Sequence, residues 1–360
     1  TGFWCLRNLD HKRGRVGEGE RWRKSLPVSP SPHLPPWNLN TRRLLTFVLS
    51  LAITAIFLAF ALYRVDFGTL ARALAAADYR LVALSAVCTF TSYILRTARW
   101  QRLLAPTKQI PLRRLFPVLA VGFALNNLFP GRPGELARAY WLGKREGLFK
   151  TLGLATIIVE RVADGITLIA FLLLAFAAFA PLRIDLPPVA EMIALVSSIL
   201  FGIALAGLLF LLVREPLAVS IFQKFARLLP HQIAARLERM LGSFVIGLHS
   251  LKSARDVATI ASLSLAIWTV ESASYFLILS AFGLLPDLAI HAVAAVFTMG
   301  LINLGVMIPA APGGVGPFEA AAIFALAAFG VNETLAASAA LSSHTVQYLL
   351  VTGLGLLFVW

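Results

Sequence analysis

Three clusters of polar residues stand inside long apolar stretches of this sequence, and any chemistry it performs has to be sought there. The first is Glu160, Arg161 and Asp164, set in TLGLATIIVERVADGITLIAFLLLAF. Residues three and four apart share a helix face, so Arg161 can pair with Asp164 while Glu160 lies beside it. Two neighbouring carboxylates are also the raw material of acid/base work, but no matching nucleophile or metal-ligand set accompanies them. The second cluster is Asn126, Asn127, Arg132, Glu135 and Arg138, in VGFALNNLFPGRPGELAR (Val121–Arg138). Arginines beside the opening amides of a helix make an anion site suited to a phosphate. The third is Asn303, Glu319 and His344, joined by Glu271. A buried carboxylate and a titratable imidazole are what proton coupling requires.

Each cluster has a plainer reading. Glu160, Arg161 and Asp164 serve equally as an ion pair tying their helix to Arg132 or Glu135. Arg138 reads as an ordinary interfacial charge, whereas Arg132, between Gly131 and Pro133, reads as functional. Asn126 and Asn127 read as caps of broken helix ends. Asn303, Glu271 and His344 fit ordinary helix–helix hydrogen bonds, and His291 falls at the edge of a span. A charge at the centre of a membrane helix costs about 2.5–3.5 kcal/mol on insertion scales, so these groups should face the protein interior.

The elements that position them follow from composition. Of 360 residues, 58% are hydrophobic and 14% charged, and the mean hydropathy is +0.79. Several runs reach the roughly 20 residues that span a bilayer. The fold class is therefore all-α: a polytopic helical membrane protein with about six full spans and two broken, re-entrant hairpins. The expected spans are Leu44–Leu62, Leu81–Leu95, Thr151–Ala180, Val189–Val213, Val257–Phe282 and Leu335–Trp360. Between the second and third, Leu115–Phe129 enters as a helix and is broken by two prolines and two glycines. A similar break recurs in Met299–Glu319, MGLINLGVMIPAAPGGVGPFE, within the apolar stretch 288–329. Proline removes a backbone donor and glycine admits angles other residues avoid, and such backbone is tolerated at membrane depth only where protein or a cavity covers it.

Charge sets the expected orientation. Arg96, Arg99, Arg102, Lys108, Arg113 and Arg114 precede the first break with no acid among them, and Lys144, Arg145 and Lys150 follow it. Both flanks then belong on the cytoplasmic side, which makes the segment between them re-entrant. The residues 44–180 and 189–360 repeat the same order of elements from opposite sides, an inverted repeat. Segment 214–256 carries an apolar helical face, Ile233 to Leu251, suited to a membrane surface. Residues 1–43 hold nine Lys/Arg against three Asp/Glu and a Pro-rich stretch, a disordered basic cytoplasmic tail.

Composition also excludes. The net charge of +14 sits between apolar runs rather than in a nucleic-acid module, so anionic lipid headgroups are its counter-charge. Cys5 and Cys88 form no disulfide framework, and the scattered histidines have no metal-ligand spacing. No phosphate-binding loop for ATP is present, and no cofactor is expected.

At NNLFPGRPGELAR, the following ERVAD, and IPAAPGGVGPFEA with the later His344, the sequence resembles the lysylphosphatidylglycerol synthase transmembrane-domain family, described as flippase-like. The resemblance spans roughly residues 44–360. It implies a membrane domain that moves a lipid between leaflets, an aminoacylated or sugar-carrying one. Lysyltransferases of that family carry a further soluble domain, which has no counterpart here, so the chain resembles a stand-alone member. The expected partner is a phospholipid or a polyprenyl-phosphate-linked lipid in the inner cell membrane. A separate cytoplasmic synthase or glycosyltransferase is the other candidate, with the chain as its accessory or as a membrane transferase. Expected headgroup contacts are Asn126, Asn127, Arg132, Glu135, Arg138, Glu160, Arg161, Asp164, Asn303, Glu319 and His344.

Overall fold

The computed structural model describes residues 39–129, 131–184, 253–307 and 312–359, with scattered positions between 192 and 238. Among the described residues the elements are α1 (Leu39–Leu62), α2 (Phe67–Ala76), α3 (Tyr79–Leu104), α4 (Leu112–Leu128), α5 (Gly134–Glu146), α6 (Lys150–Phe179), α7 (Glu215–Ala226), α8 (Ala254–Ala281), α9 (Leu288–Gly305), α10 (Pro317–Ala327) and α11 (Glu333–Leu357). A single 3-10 turn, Pro312–Gly314, precedes α10. No strand interrupts this order, so the fold is all-α and polytopic. By length and composition α3, α6, α8 and α9 are each able to cross a membrane, and so is the α1–α2 pair, bent by 83°. Most of the expected span Val189–Val213 and of the amphipathic face from Ile233 to Leu251 lies outside the described residues, as does the tail 1–38.

The frame is an antiparallel pair. Beginning at the Asp78 amide on the Ala281 carbonyl, α3 and α8 stay together past Thr89 against Ser274 (3.2 Å) to Arg99 against Ser264 (2.8 Å). Their shared face is small and polar, with Ser85 and Thr89 of one helix against Ser274 of the other, and Ser264 beneath Arg99. Small side chains let two helices approach closely where lipid gives no hydrophobic reason to associate. Further in, Trp268, Tyr275, Ile278, Met299, Ile302 and Phe318 build the largest apolar core with the alanine face of α11.

Two helix–break–helix hairpins stand against this frame. The α4–α5 hairpin starts and finishes at one end: Lys108, just before α4, bonds Glu146, at the end of α5, at 2.8 Å, and Arg114 reaches the same carboxylate. That end also carries Arg113, Lys144, Arg145 and Lys150. The α9–α10 hairpin starts and finishes at the opposite end. There His291 opens α9 against the carbonyls of Phe276 and Leu285, and Phe329, just past α10, packs on Phe179 and Phe297. Running the whole distance, α11 begins beside Asp66 and Arg64 and finishes with Phe358 against Phe116.

Close backbone approach holds the first hairpin. A Cβ on Gly134 would overlap the Gly122 carbonyl, and one on Gly122 would overlap the Arg138 side chain. Similarly Gly355 brings α11 onto Ala120 and Ala124 of α4, and Gly300 receives Leu172 of α6. These glycines serve contact rather than unusual torsions.

Candidate functional site at the junction of the two breaks

The breaks meet. Arg132, in the first, donates to the Val306 carbonyl at the end of α9 at 2.6 Å. Gly313, in the second, lies against the Tyr348 ring and near the Asn127 carbonyl, while the Asn127 amide donates to Thr352 of α11 at 3.3 Å. The turns are built from left-handed backbone: Gly131, Gly313, Gly314 and Gly316 all have positive φ, and so does Arg132, at 52°. A non-glycine residue held there stores about 1–3 kcal/mol of strain, a cost concentrated at functional positions.

Each broken end has its cap. Asn126 Oδ1 accepts the Gly134 amide at 2.8 Å, satisfying a free donor at the start of α5. Glu319 Oε2 accepts the Gly316 amide at 2.7 Å and does the same for α10. Glu319 Oε1 lies 2.5 Å from His344 Nδ1, and His344 Nε2 donates to the Gly313 carbonyl at 3.1 Å. The imidazole is stacked on Phe318. Asn303, by contrast, donates to Met299 of its own helix at 2.9 Å.

Beside the first hairpin lies a buried ion network of four arginines and four carboxylates. Arg138 grips Glu160 with both terminal nitrogens, at 3.0 and 3.3 Å, and its guanidinium lies over Trp100 at 4.2 Å. Arg99 bonds Asp164 at 2.7 Å, and Trp268 Nε1 donates to the same oxygen at 3.3 Å. Arg96 stands 3.5 Å from both Asp164 and Glu271. Arg161 is the half-exposed member, 3.6 Å from Asp164 and 3.7 Å from Glu135. The group joins α3, α5, α6 and α8. Four positive charges against four negative leave it neutral, as burial demands.

Three sequence expectations are corrected. Arg96 and Arg99 do not lie in a cytoplasmic loop: α3 runs on to Leu104, and Arg99 is only 1% exposed. Carboxylates arriving from α6 and α8 neutralise them, which no local pattern announces. A signal was nevertheless present, because no Gly or Pro interrupts the sequence from Tyr79 to Ala105. Arg138 is not interfacial but 2% exposed, with both terminal nitrogens on Glu160. Likewise His291 is buried, at the first turn of α9. Of the two ties expected between α6 and the hairpin, the one at Glu135 is present, made by Arg161 and joined by Arg138–Glu160, while Arg132 bonds Val306 instead. Of the expected contacts, the carboxylates of Glu160, Asp164 and Glu319 are all engaged by protein partners. Among the described residues Arg132 bonds only a backbone carbonyl, that of Val306. Trp100 and Trp268, which shield the network, were not singled out by sequence reasoning.

Long apolar helices, a neutral charge network inside them and two facing breaks define a multi-pass membrane protein. The chain belongs to the family described as the lysylphosphatidylglycerol synthase TM region, whose model matches residues 47–355. It is 28% identical over 301 residues to a UPF0104 membrane protein of Methanothermobacter thermautotrophicus, covering 80% of this chain and 87% of that one. Over 341 residues it is 27% identical to Glycosyltransferase AglD of Haloferax volcanii, covering 86% of this chain and 54% of that protein, so it spans about half its length.

Proposed function

We propose that the protein is a lipid translocase that passes an anionic headgroup, of a phospholipid or a polyprenyl-phosphate-linked lipid, through the junction of the two breaks. The observation that carries this reading is Arg132. Inside the network every guanidinium has a carboxylate; at the junction, among the described residues, Arg132 has none, and it is held in a strained left-handed conformation on one carbonyl. A phosphate oxygen is a better acceptor than a carbonyl for a guanidinium, by charge and by bidentate geometry. Arg161, half-exposed and held beside the start of α5 by Glu135, adds a second cation. The acyl chains remain in lipid while only the headgroup enters. The basic end that holds Lys108, Arg113, Arg114, Lys144 and Arg145 faces the cytoplasm, with the N-terminus on the same side of an inner cell membrane.

The test is a leaflet-sidedness assay in proteoliposomes with headgroup-labelled anionic lipid. Arg132→Ala should lower the initial rate at least tenfold while leaving the folded yield unchanged, because Arg132 contributes one exposed hydrogen bond. An unaltered rate removes the junction as the headgroup path. A second reading, a membrane transferase or an accessory subunit in lipid-linked glycan or aminoacyl-lipid synthesis, is favoured by the similarity to Glycosyltransferase AglD. Product formed by the purified protein from lipid and a labelled donor, without any change of leaflet, would select that reading instead.

A further inference from the structure

The geometry points to a proton-binding site at the His344–Glu319 pair that couples the second break to protonation. It rests on the translocation reading only for its cargo. At 2.5 Å, His344 Nδ1 and Glu319 Oε1 must hold one proton between them, whichever atom owns it. His344 Nε2 faces the Gly313 carbonyl, which can only accept, so a second proton sits there. The other Glu319 oxygen accepts the Gly316 amide. Two protons and no net charge are therefore the state that the closed break fixes, whether written as imidazolium–carboxylate or as imidazole–carboxylic acid.

Removing the shared proton would set a carboxylate against an imidazole lone pair in a buried site, two acceptors facing one another. Two anchors of the break, the Gly313 carbonyl and the Gly316 amide at the start of α10, hang on this pair. The same break touches the first through Arg132 on Val306. Among the described residues, the other titratable or charged groups around it are few. Tyr348 contributes its ring edge from α11, Tyr275 of α8 is reached only through Gln347, and Arg132 is engaged at Val306. None supplies a substitute proton or counter-charge to His344 at hydrogen-bond distance.

When the break opens to water the two side chains separate. In water a carboxyl is ionised above about pH 4.3 and an imidazole has lost its second proton above about pH 6.5. The open break then holds one proton fewer than the closed one at neutral pH and above, and opening becomes about tenfold easier per unit rise in pH, as one-proton linkage requires. Below that range opening is independent of pH until the carboxyl titrates. A cycle that opens and closes this break on opposite sides of the membrane moves one proton with each headgroup.

Two measurements test the site. Hydrogen exchange of the amides of Gly313–Glu319, corrected for the intrinsic pH dependence of exchange, should lose protection about tenfold per pH unit above about pH 6.5. His344→Gln and Glu319→Gln keep hydrogen-bonding groups without the shared proton and should abolish that slope. A flat profile in the wild type, or the same slope in both variants, overturns the proposal. In proteoliposomes, an imposed pH difference of one unit should bias the final leaflet ratio of labelled lipid about tenfold in the wild type. Lipid movement that ignores the pH difference overturns coupling and leaves the translocase reading standing. No lipid movement with the exchange slope intact does the reverse.

Discussion

The buried Arg138–Glu160 pair gives the sharpest energetic prediction. Both side chains are within a few per cent of complete burial, and two contacts, at 3.0 and 3.3 Å, make the pair bidentate. Removing one partner of such a pair leaves the other charge buried and uncompensated, at a cost of about 3–5 kcal/mol. For Arg138→Ala the lost stacking over Trp100 adds about 0.5–2 kcal/mol. Glu160→Gln keeps shape and an acceptor and should fall at the low end of the range. Arg138→Met with Glu160→Leu removes both charges together, so it should cost far less than the sum of the singles, with a coupling energy of at least about 2 kcal/mol. The assay is reversible unfolding in mixed micelles, read by tryptophan fluorescence, because Trp100 lies directly against the guanidinium. Single variants costing under about 1 kcal/mol, the range of exposed pairs, would refute the placement of this pair in the protein interior.

Two further outcomes follow from the packing. Gly134→Ala should destabilise by at least about 1–3 kcal/mol and loosen the hairpin, because the new methyl meets the Gly122 backbone rather than a yielding side chain; limited proteolysis between α4 and α5 reads this directly. Arg64→Ala should change stability by less than about 1 kcal/mol, since its pair with Glu333 spans 3.4 Å between exposed side chains, and it is the matched control for the Arg138 series.

Reading α3 as ending at Leu95 shows where local pattern failed. Hydropathy drops at Arg96 because three arginines, Arg96, Arg99 and Arg102, arrive within seven positions. Window averaging treats all three alike. In the fold Arg99 faces Asp164 and Ser264, Arg96 faces Asp164 and Glu271, and Arg102 is exposed. The same blindness made Arg138 look interfacial. Asn126, by contrast, was legible: an amide beside a Pro/Gly break is a cap in search of a donor, and Gly134 is that donor.

The amino-acid sequence by itself determined the all-α membrane class, the positions of both breaks and most helix limits, because apolar run length and Pro/Gly punctuation act locally. Tertiary structure alone decided which charges are spent in pairs and which remain available. For Arg96, Arg99 and Arg138, neutralisation depends on carboxylates 22 to 175 residues away in the chain, brought within 4 Å by helix packing, and no spacing rule encodes that distance. The meeting of Arg132 with Val306, 174 residues on, is decided the same way: the backbone breaks are written locally, but their contact exists only once α4 and α9 have docked against the same frame.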